Sequence, residues 1–278
     1  MLYFYLVVSA ALIPILNIFF DILRQSYSWW LVPVLFIGIF LALIILHLAI
    51  FSISILIVNP KVQSEKGNKY YRFLVKYTLP MVFKLARVQI RVTGEDKIPE
   101  NKRLMLVCNH INDVDPAVIM SAFPDLELGF IAKKEVYTLF PFVAKMMKKL
   151  YCLPIDRENN MEAIKTILKA IEYIKTDKAS IGIFPEGYTS LDGELHDFRN
   201  GAFKIATKSK CPIVVCSIVN SNFVFKNMFR RKTVVFLDVL DVISEEETAV
   251  LHTDQISKRV HEKMAKNIDM RRNKEPQS

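Results

Sequence analysis

Two long stretches without a charged side chain open the chain, Met1 to Phe20 and Trp29 to Asn59. At 1.5 Å of rise per residue, some twenty helical residues reach about 30 Å, the thickness of a bilayer's hydrocarbon core. The second run is longer, so it spans with tilt or rests its ends in the interface. Neither run has the polar face that a soluble core helix would show. The start MLYFYL lacks the basic residues of a signal peptide, and the run exceeds the usual apolar core of about 7–15 residues. Trp29 and Trp30 fall where an aromatic belt is expected. The pattern predicts a membrane-anchoring helical hairpin over residues 1–59, with its turn at 21–28. A hairpin that dips in without crossing fits nearly as well as one that crosses.

Beyond residue 60 the pattern changes to short apolar runs alternating with helical spacing. Residues 70–85 read as an amphipathic helix lying on the membrane. Strands are predicted at 89–93, 104–108, 127–132, 151–155, 180–184, 213–219 and 233–240. Met161, Ile164, Leu168 and Ile171 recur at helical spacing, so 161–175 is a helix. Further helices are expected at 201–209 and 250–270, with a loose tail Arg271-Arg272-Asn273-Lys274-Glu275-Pro276-Gln277-Ser278. Strands alternating with helices imply an α/β domain, with a mixed, largely parallel sheet flanked by helices. Its bounds are 60–278, with a core at about 80–240.

Composition narrows the class. Of 278 residues, 52% are hydrophobic and 23% charged, which excludes a disordered chain. Four cysteines without a C-x-x-C exclude a disulfide scaffold and the common zinc modules. Cys108, Cys152, Cys211 and Cys216 sit in or beside predicted strands and read as buried small hydrophobes, in keeping with a reducing compartment. Residues 1–58 carry only Asp21 and Arg24, which cancel, so the net charge of +9 lies entirely on the rest. A basic body behind an apolar head suits an anionic bilayer surface better than nucleic acid. Lys61, Lys66, Lys69, Arg72 and Lys76 closely follow the second run, and the positive-inside rule then puts the body in the cytoplasm.

The densest polar cluster, Cys108-Asn109-His110-Ile111-Asn112-Asp113-Val114-Asp115-Pro116, follows an apolar strand, where α/β sheets place their sites. His110 and Asp115 can meet across a turn, leaving the second imidazole nitrogen free to accept a proton. Asp115 before Pro116 also reads as a helix N-cap. Divalent-metal binding by His110, Asp113 and Asp115 lacks a second ligand cluster. A second cluster, Phe184-Pro185-Glu186-Gly187-Tyr188-Thr189-Ser190, again follows a strand. Gly182 to Thr189 mimics a P-loop, but Tyr188 stands where its lysine must be, so nucleotide binding is rejected. A buried Glu186 would need partners, and Gly187 would allow close approach to the backbone.

Asn109-His110-x4-Asp115 together with Phe184-Pro185-Glu186-Gly187 resembles the glycerolipid acyltransferases, most closely those acting on 1-acylglycerol-3-phosphate. Ala132-Lys133-Lys134-Glu135, Leu153-Pro154-Ile155-Asp156-Arg157, Phe198-Arg199-Asn200-Gly201-Ala202 and Lys210-Cys211-Pro212-Ile213-Val214 are similar to further blocks of that family, in the same order. The resemblance covers about residues 80–240 and implies acyl transfer from a thioester to a glycerol hydroxyl. It makes His110 the general base and Asp115 its orienting partner. It assigns Lys133, Arg157, Glu186, Gly187, Thr189 and Ser190 to substrate binding, with Lys133 and Arg157 best suited to the acceptor's phosphate. The implied partners are a membrane lipid acceptor, acyl-CoA or acyl-carrier protein as donor, and the anionic bilayer surface. No cofactor, metal or nucleic acid is implied. No Gly-x-Ser-x-Gly elbow is present to support an acyl-serine route.

One departure affects the acceptor. The family usually has Glu-Gly-Thr-Arg-Ser where this chain has Glu186-Gly187-Tyr188-Thr189-Ser190, so a phosphate-binding arginine is replaced by Thr189. Arg199 or Lys204 would have to compensate. Glycerol-3-phosphate or another lysophospholipid therefore stays open as acceptor. A membrane-anchored scaffold and a metal-dependent phosphoesterase are the readings from other classes.

Overall fold

A computed structural model of the chain describes residues 1–20, 30–58, 69–190 and 192–274. Trp29, the turn at 21–28, Lys61, Lys66 and the last four residues of the tail lie outside the described residues. Contacts divide the chain into two units, Met1–Val58 and Asn59–Ser278.

The first unit holds helices α1 (Leu2–Phe20) and α2 (Leu31–Leu56). The Tyr5 hydroxyl, early in α1, and His47 Nδ1, late in α2, share a hydrogen bond of 2.7 Å, so the two helices run antiparallel. At 26 residues α2 is long and apolar enough to cross a bilayer, while the apolar part of α1, Leu2–Ile18, is shorter. Among the described residues one helix, rather than the two expected, thus meets the length of a span. Val34, Ile37, Leu41 and Ile45 stay exposed on α2, unlike the side chains of a soluble core helix.

The second unit is an α/β fold of the predicted kind. Along the chain come α3 (Lys69–Leu85), β1 (Val88–Thr93), β2 (Met105–Val107), α4 (Asp115–Ala122) and β3 (Leu128–Lys133). Next are α5 (Lys134–Leu139), α6 (Pro141–Lys149), β4 (Leu153–Ile155), α7 (Asn160–Lys175), β5 (Ser180–Ile183), α8 (Lys204–Ser209) and β6 (Ile213–Val219). Then follow α9 (Phe223–Asn227), β7 (Thr233–Ile243), α10 (Glu245–Val250) and α11 (Thr253–Lys274). One seven-stranded sheet has the order β1-β7-β6-β2-β5-β3-β4. Strands β2 to β6 are mutually parallel, while β7 runs antiparallel to β6 and pairs in parallel with β1. Every residue of β2, β5 and β6 is buried, as expected of central strands covered on both faces. Met105, Ile181 and Ile213 pack with Ala170 and Ile174 of α7, Ile205 of α8 and Val260 and Met264 of α11 in one core.

Several helices differ from the sequence reading. The face of α3 carrying Tyr71, Leu74, Val75, Met81 and Phe83 is buried against α4 and β1, while Tyr70, Phe73, Val82 and Leu85 stay exposed on the other face. Its Arg72 donates to the Glu127 carbonyl and its Lys76 pairs with Asp125. In α7 the periodicity gives the helix but not its buried face: Met161, Ile164 and Leu168 are exposed, and Ala170, Ile171, Tyr173 and Ile174 are buried. The helix expected at 250–270 is α11, and a separate short helix, α10, precedes it. A capping box of Ser244 and Glu247 starts α10 early, and α11 begins anew at Thr253.

The tail, expected to be loose from Arg271, instead continues α11 to Lys274 because its arginines are held. Arg272 donates to Glu194 Oε1 at 2.9 Å, and Arg271 Nε donates to Asp238 Oδ2 at 2.7 Å. Asp238, on β7, also accepts from Thr93 of β1 and Asn267 of α11. Burial alone would raise the Asp238 pKa, but the bonds from Arg271, Thr93 and Asn267 outweigh it and hold the carboxyl below the usual range. A carboxyl whose folded pKa is depressed adds stability above its unfolded pKa and loses it as pH falls through the folded one. Removing one partner of such a pair leaves a buried charge uncompensated. Asp238→Ala should therefore cost about 3–5 kcal/mol in unfolding of the detergent-solubilised chain at neutral pH. The deficit should shrink as the pH is lowered through the carboxylate range; a constant deficit would contradict this account.

Candidate active site

Parallel strands β2 to β6 all end at one sheet edge, the arrangement at which open α/β sheets bind ligands. The loop leaving β2 carries Asn109 and His110. Asn109, 2% exposed, uses its amide as a miniature strand: Nδ2 donates to the Ile218 carbonyl and Oδ1 accepts from the Ile218 N–H. That pins the loop to β6.

His110 Nδ1 lies 2.9 Å from Asp115 Oδ2. The same oxygen accepts the Ile111 N–H at 2.8 Å and the Asn112 N–H at 2.9 Å. An oxygen already serving as acceptor for two backbone donors requires Nδ1 to carry the proton, which leaves Nε2 with its lone pair. Nε2 has no hydrogen-bond partner among the described residues. Asp115 does not cap a helix as the sequence suggested. It is the first residue of α4, Val114 takes the cap position, and the carboxylate turns back over the loop it follows. Asp115 is fully buried, whereas the His110 side chain remains 15% exposed.

The His110 ring stacks on Phe184, with centroids 4.1 Å apart, and Phe184 stacks in turn on Phe130. Phe130 has its room because Gly182, on the neighbouring strand, has no side chain. A Cβ there would come within 2.4 Å of the Phe130 ring.

The connection after β5 braces the histidine from the other side. Glu186, 1% exposed, accepts the His110 backbone N–H on Oε1 at 2.8 Å. Its Oε2 accepts from the Ser190 hydroxyl at 2.6 Å and the His196 N–H at 3.1 Å. The Ser190 N–H returns a bond to the His110 carbonyl at 2.7 Å. Both backbone groups of His110 are thus fixed by this block. Glu186 and Ser190, assigned above to substrate binding by the resemblance, are buried and bond each other and the backbone of His110. The Thr189 hydroxyl is engaged by Asp113 at 3.2 Å. Lys133 lies beyond the site's buried part, exposed and 3.7 Å from Glu135.

Arg157 follows β4 and is half-buried. Desolvation lowers its pKa and the positive Arg199 lowers it further, while Glu135 acts the other way. Arg199 is itself held at the Glu-Gly block. Its N–H bonds the Pro185 carbonyl at 2.9 Å, and its side chain lies over Gly187, where a Cβ would come within 2.8 Å of Nε. Gly187 has φ +83°, so it needs glycine for both backbone and space. Neither Arg157 nor Arg199 forms an ion pair among the described residues. Two guanidinium groups that feel each other's charge, with Glu135 as the nearby carboxylate, can receive an anion such as phosphate. Only the departure at Thr189 pointed to Arg199 in the sequence.

Cysteine nucleophiles are disfavoured. Burial pushes the Cys108 thiol well up, and raises those of Cys152 and Cys211 to about 11. No group of metal-ligating side chains occurs among the described residues.

The site thus holds a histidine oriented by a buried aspartate, with Arg157 and Arg199 as its nearby cations. Residues 89–219, which contain His110, Asp115, Arg157, Glu186 and Arg199, match the acyltransferase family model. Over 155 residues the chain is 32% identical to a probable 1-acyl-sn-glycerol-3-phosphate acyltransferase of Mycoplasma pneumoniae, covering 54% of this chain and 57% of that one. Over 211 residues it is 26% identical to a 1-acyl-sn-glycerol-3-phosphate acyltransferase of Limnanthes douglasii, covering 75% and 72%. The chain spans about half the length of the first two of these curated relatives, both from Mycoplasma. In fold it is similar to the crystal structure of the 1-acyl-sn-glycerophosphate acyltransferase of Thermotoga maritima. The TM-score there is 0.58 at 23% identity, over 76% of this chain and 80% of that one. Residues 89–219 thus match the acyltransferase family, and the chain is similar to glycerolipid acyltransferases.

The stacking order makes Gly182 part of the site's support. Gly182→Ala should destabilise the chain by about 1–3 kcal/mol through overpacking, read by thermal unfolding. In a double-mutant cycle, Phe130→Ala should relieve part of that cost; strictly additive effects would show that Phe130 is not what the Cβ meets.

Proposed function

We propose that the chain transfers a fatty acyl group from a thioester to the free hydroxyl of 1-acylglycerol-3-phosphate, giving phosphatidic acid. The observation that carries this reading is the 2.9 Å bond between His110 Nδ1 and Asp115 Oδ2, with Nε2 left open. Nε2 takes the proton as the acceptor oxygen attacks the thioester carbonyl carbon. The C–O bond forms, the C–S bond breaks, and the proton passes from His110 to the leaving thiolate. Asp115 keeps the tautomer and steadies the transient imidazolium. No enzyme nucleophile is needed, and holding both substrates in one complex supplies much of the rate. Acyl-CoA or acyl-carrier protein serves as the donor. Arg157 and Arg199 hold the acceptor's phosphate, with Arg199 doing the work of the arginine that Thr189 replaces, and this favours the phosphorylated acceptor.

The chain is an integral membrane protein held by α1 and α2. Lys69, Arg72 and Lys76 follow α2 on the cytoplasmic side, where the catalytic unit faces the donor. Both lipid acceptor and lipid product then stay in the bilayer.

General-base help contributes about 10²–10⁴-fold. His110→Ala should lose at least that factor in acceptor-dependent thiol release, while the chain still inserts in membranes. Turnover at the normal rate in that variant would remove the mechanism.

A hydrogen bond to a charged group is worth about 1.5–3 kcal/mol, so Arg199→Ala should raise the acceptor KM by roughly tenfold or more. Its donor KM should stay constant, and Arg157→Ala should behave alike. If Arg199→Ala raises both KM values equally, the anion role fails.

A further inference from the structure

The edge that carries His110 receives two more connections that the site does not use, those after β3 and after β6. Both expose apolar side chains. Between α5 and α6, Leu139 is 70% and Phe140 57% exposed, and Phe142 follows. Between β6 and β7, Phe229 is 68% and Phe225 57% exposed. Phe229 also holds φ 63°, a left-handed backbone that is costly for a bulky side chain and here presents the ring outward.

Lysines and arginines accompany both groups, and Glu135 on α5 is the acidic residue beside the first. No acidic residue occurs between Glu135 and Asp156, where Lys145, Lys148 and Lys149 lie. None occurs between Asp197 and Asp238, where Lys226, Arg230, Arg231 and Lys232 crowd the connection. Water-soluble surfaces rarely group large apolar side chains in this way. Aromatic rings among lysines and arginines suit the headgroup boundary of an anionic membrane. Single-stranded nucleic acid also binds aromatic and basic surfaces, but aliphatic Leu139 and Met228 offer it nothing to stack on.

We propose that the connections after β3 and after β6 form an amphipathic rim that seats the catalytic edge of the sheet on an anionic bilayer, independently of α1 and α2. The rim brings the mouth of the site to the headgroup plane. This docking does not depend on the acyl-transfer chemistry and is read without measuring activity.

The test uses the full chain. Its four native cysteines are buried, so an introduced surface cysteine takes a fluorophore selectively. Phe142→Cys and Phe229→Cys mark the rim. Glu100→Cys marks the opposite edge, in the turn between the end of β1 and the start of β2. The labelled chains are reconstituted in phosphatidylcholine vesicles containing phosphatidylglycerol. Both rim labels should shift to the blue and be quenched by nitroxide-bearing lipid, and the Glu100→Cys label should not. The Phe229→Cys shift should shrink when phosphatidylglycerol is omitted, or when Arg230→Gln and Arg231→Gln are added. Rim labels as water-exposed as Glu100→Cys would overturn the proposal. So would a shift indifferent to phosphatidylglycerol. A shift that follows protein density or added RNA instead of the lipid quencher would assign the rim to another partner and overturn it too. Unfolding temperatures matching the unlabelled chain confirm that each variant is folded.

Discussion

One carboxylate oxygen closes the catalytic loop. Asp115 Oδ2 accepts three hydrogen bonds, from His110 Nδ1 and from the backbones of Ile111 and Asn112. In a fully buried site such bonds are electrostatically strong, and an unpaired carboxylate there would be costly. The loop therefore has little freedom to open while Asp115 remains in place. The same contact that shapes the turn also decides which imidazole nitrogen keeps its proton. Shape and reactivity are one constraint here, and the base is ready before any substrate arrives.

That constraint works because the loop is anchored to both neighbouring strands. Asn109 ties it to β6 through both polar groups of Ile218, and Glu186 ties it to the connection leaving β5. Strand β2 itself is only three residues long and sits between these two. A short central strand ending in a doubly anchored loop places the histidine with the rigidity of the sheet rather than that of a loop. The stack of His110, Phe184 and Phe130 then fixes the ring's tilt, and Gly182 supplies the room that the stack requires.

Much of this was legible in the chain. Strand order could not be read, but alternation gave the α/β class, and the two polar clusters after strands gave the site. His110 and Asp115 were separable from structural polar residues only as a pair. The roles of Glu186 and Ser190 were not legible. Whether a polar side chain faces the cavity or the backbone depends on partners from other strands, and local sequence does not encode them. The exposed stripe of α7 failed for the same reason: periodicity reports that a helix has an apolar face, and packing decides which face is covered. The early start of α10 is different, since Ser244 and Glu247 spell a capping box that was available in the sequence.

On the reading proposed above, Arg199 takes over from the arginine that Thr189 replaces, so a binding group has moved within a fixed frame. What a phosphate needs is positive charge at a given point in space, with donors aimed at it. Arg199 reaches the Glu-Gly block from ten residues further along the chain than Thr189, held by the Pro185 carbonyl and seated over Gly187. Gly187 is what permits this route, because any side chain there would occupy the space of the guanidinium. The vacated position then takes a local duty, its hydroxyl bonded to Asp113 beside the catalytic turn. Charge at the anion site and bracing of the histidine loop are thus divided between two residues of one connection.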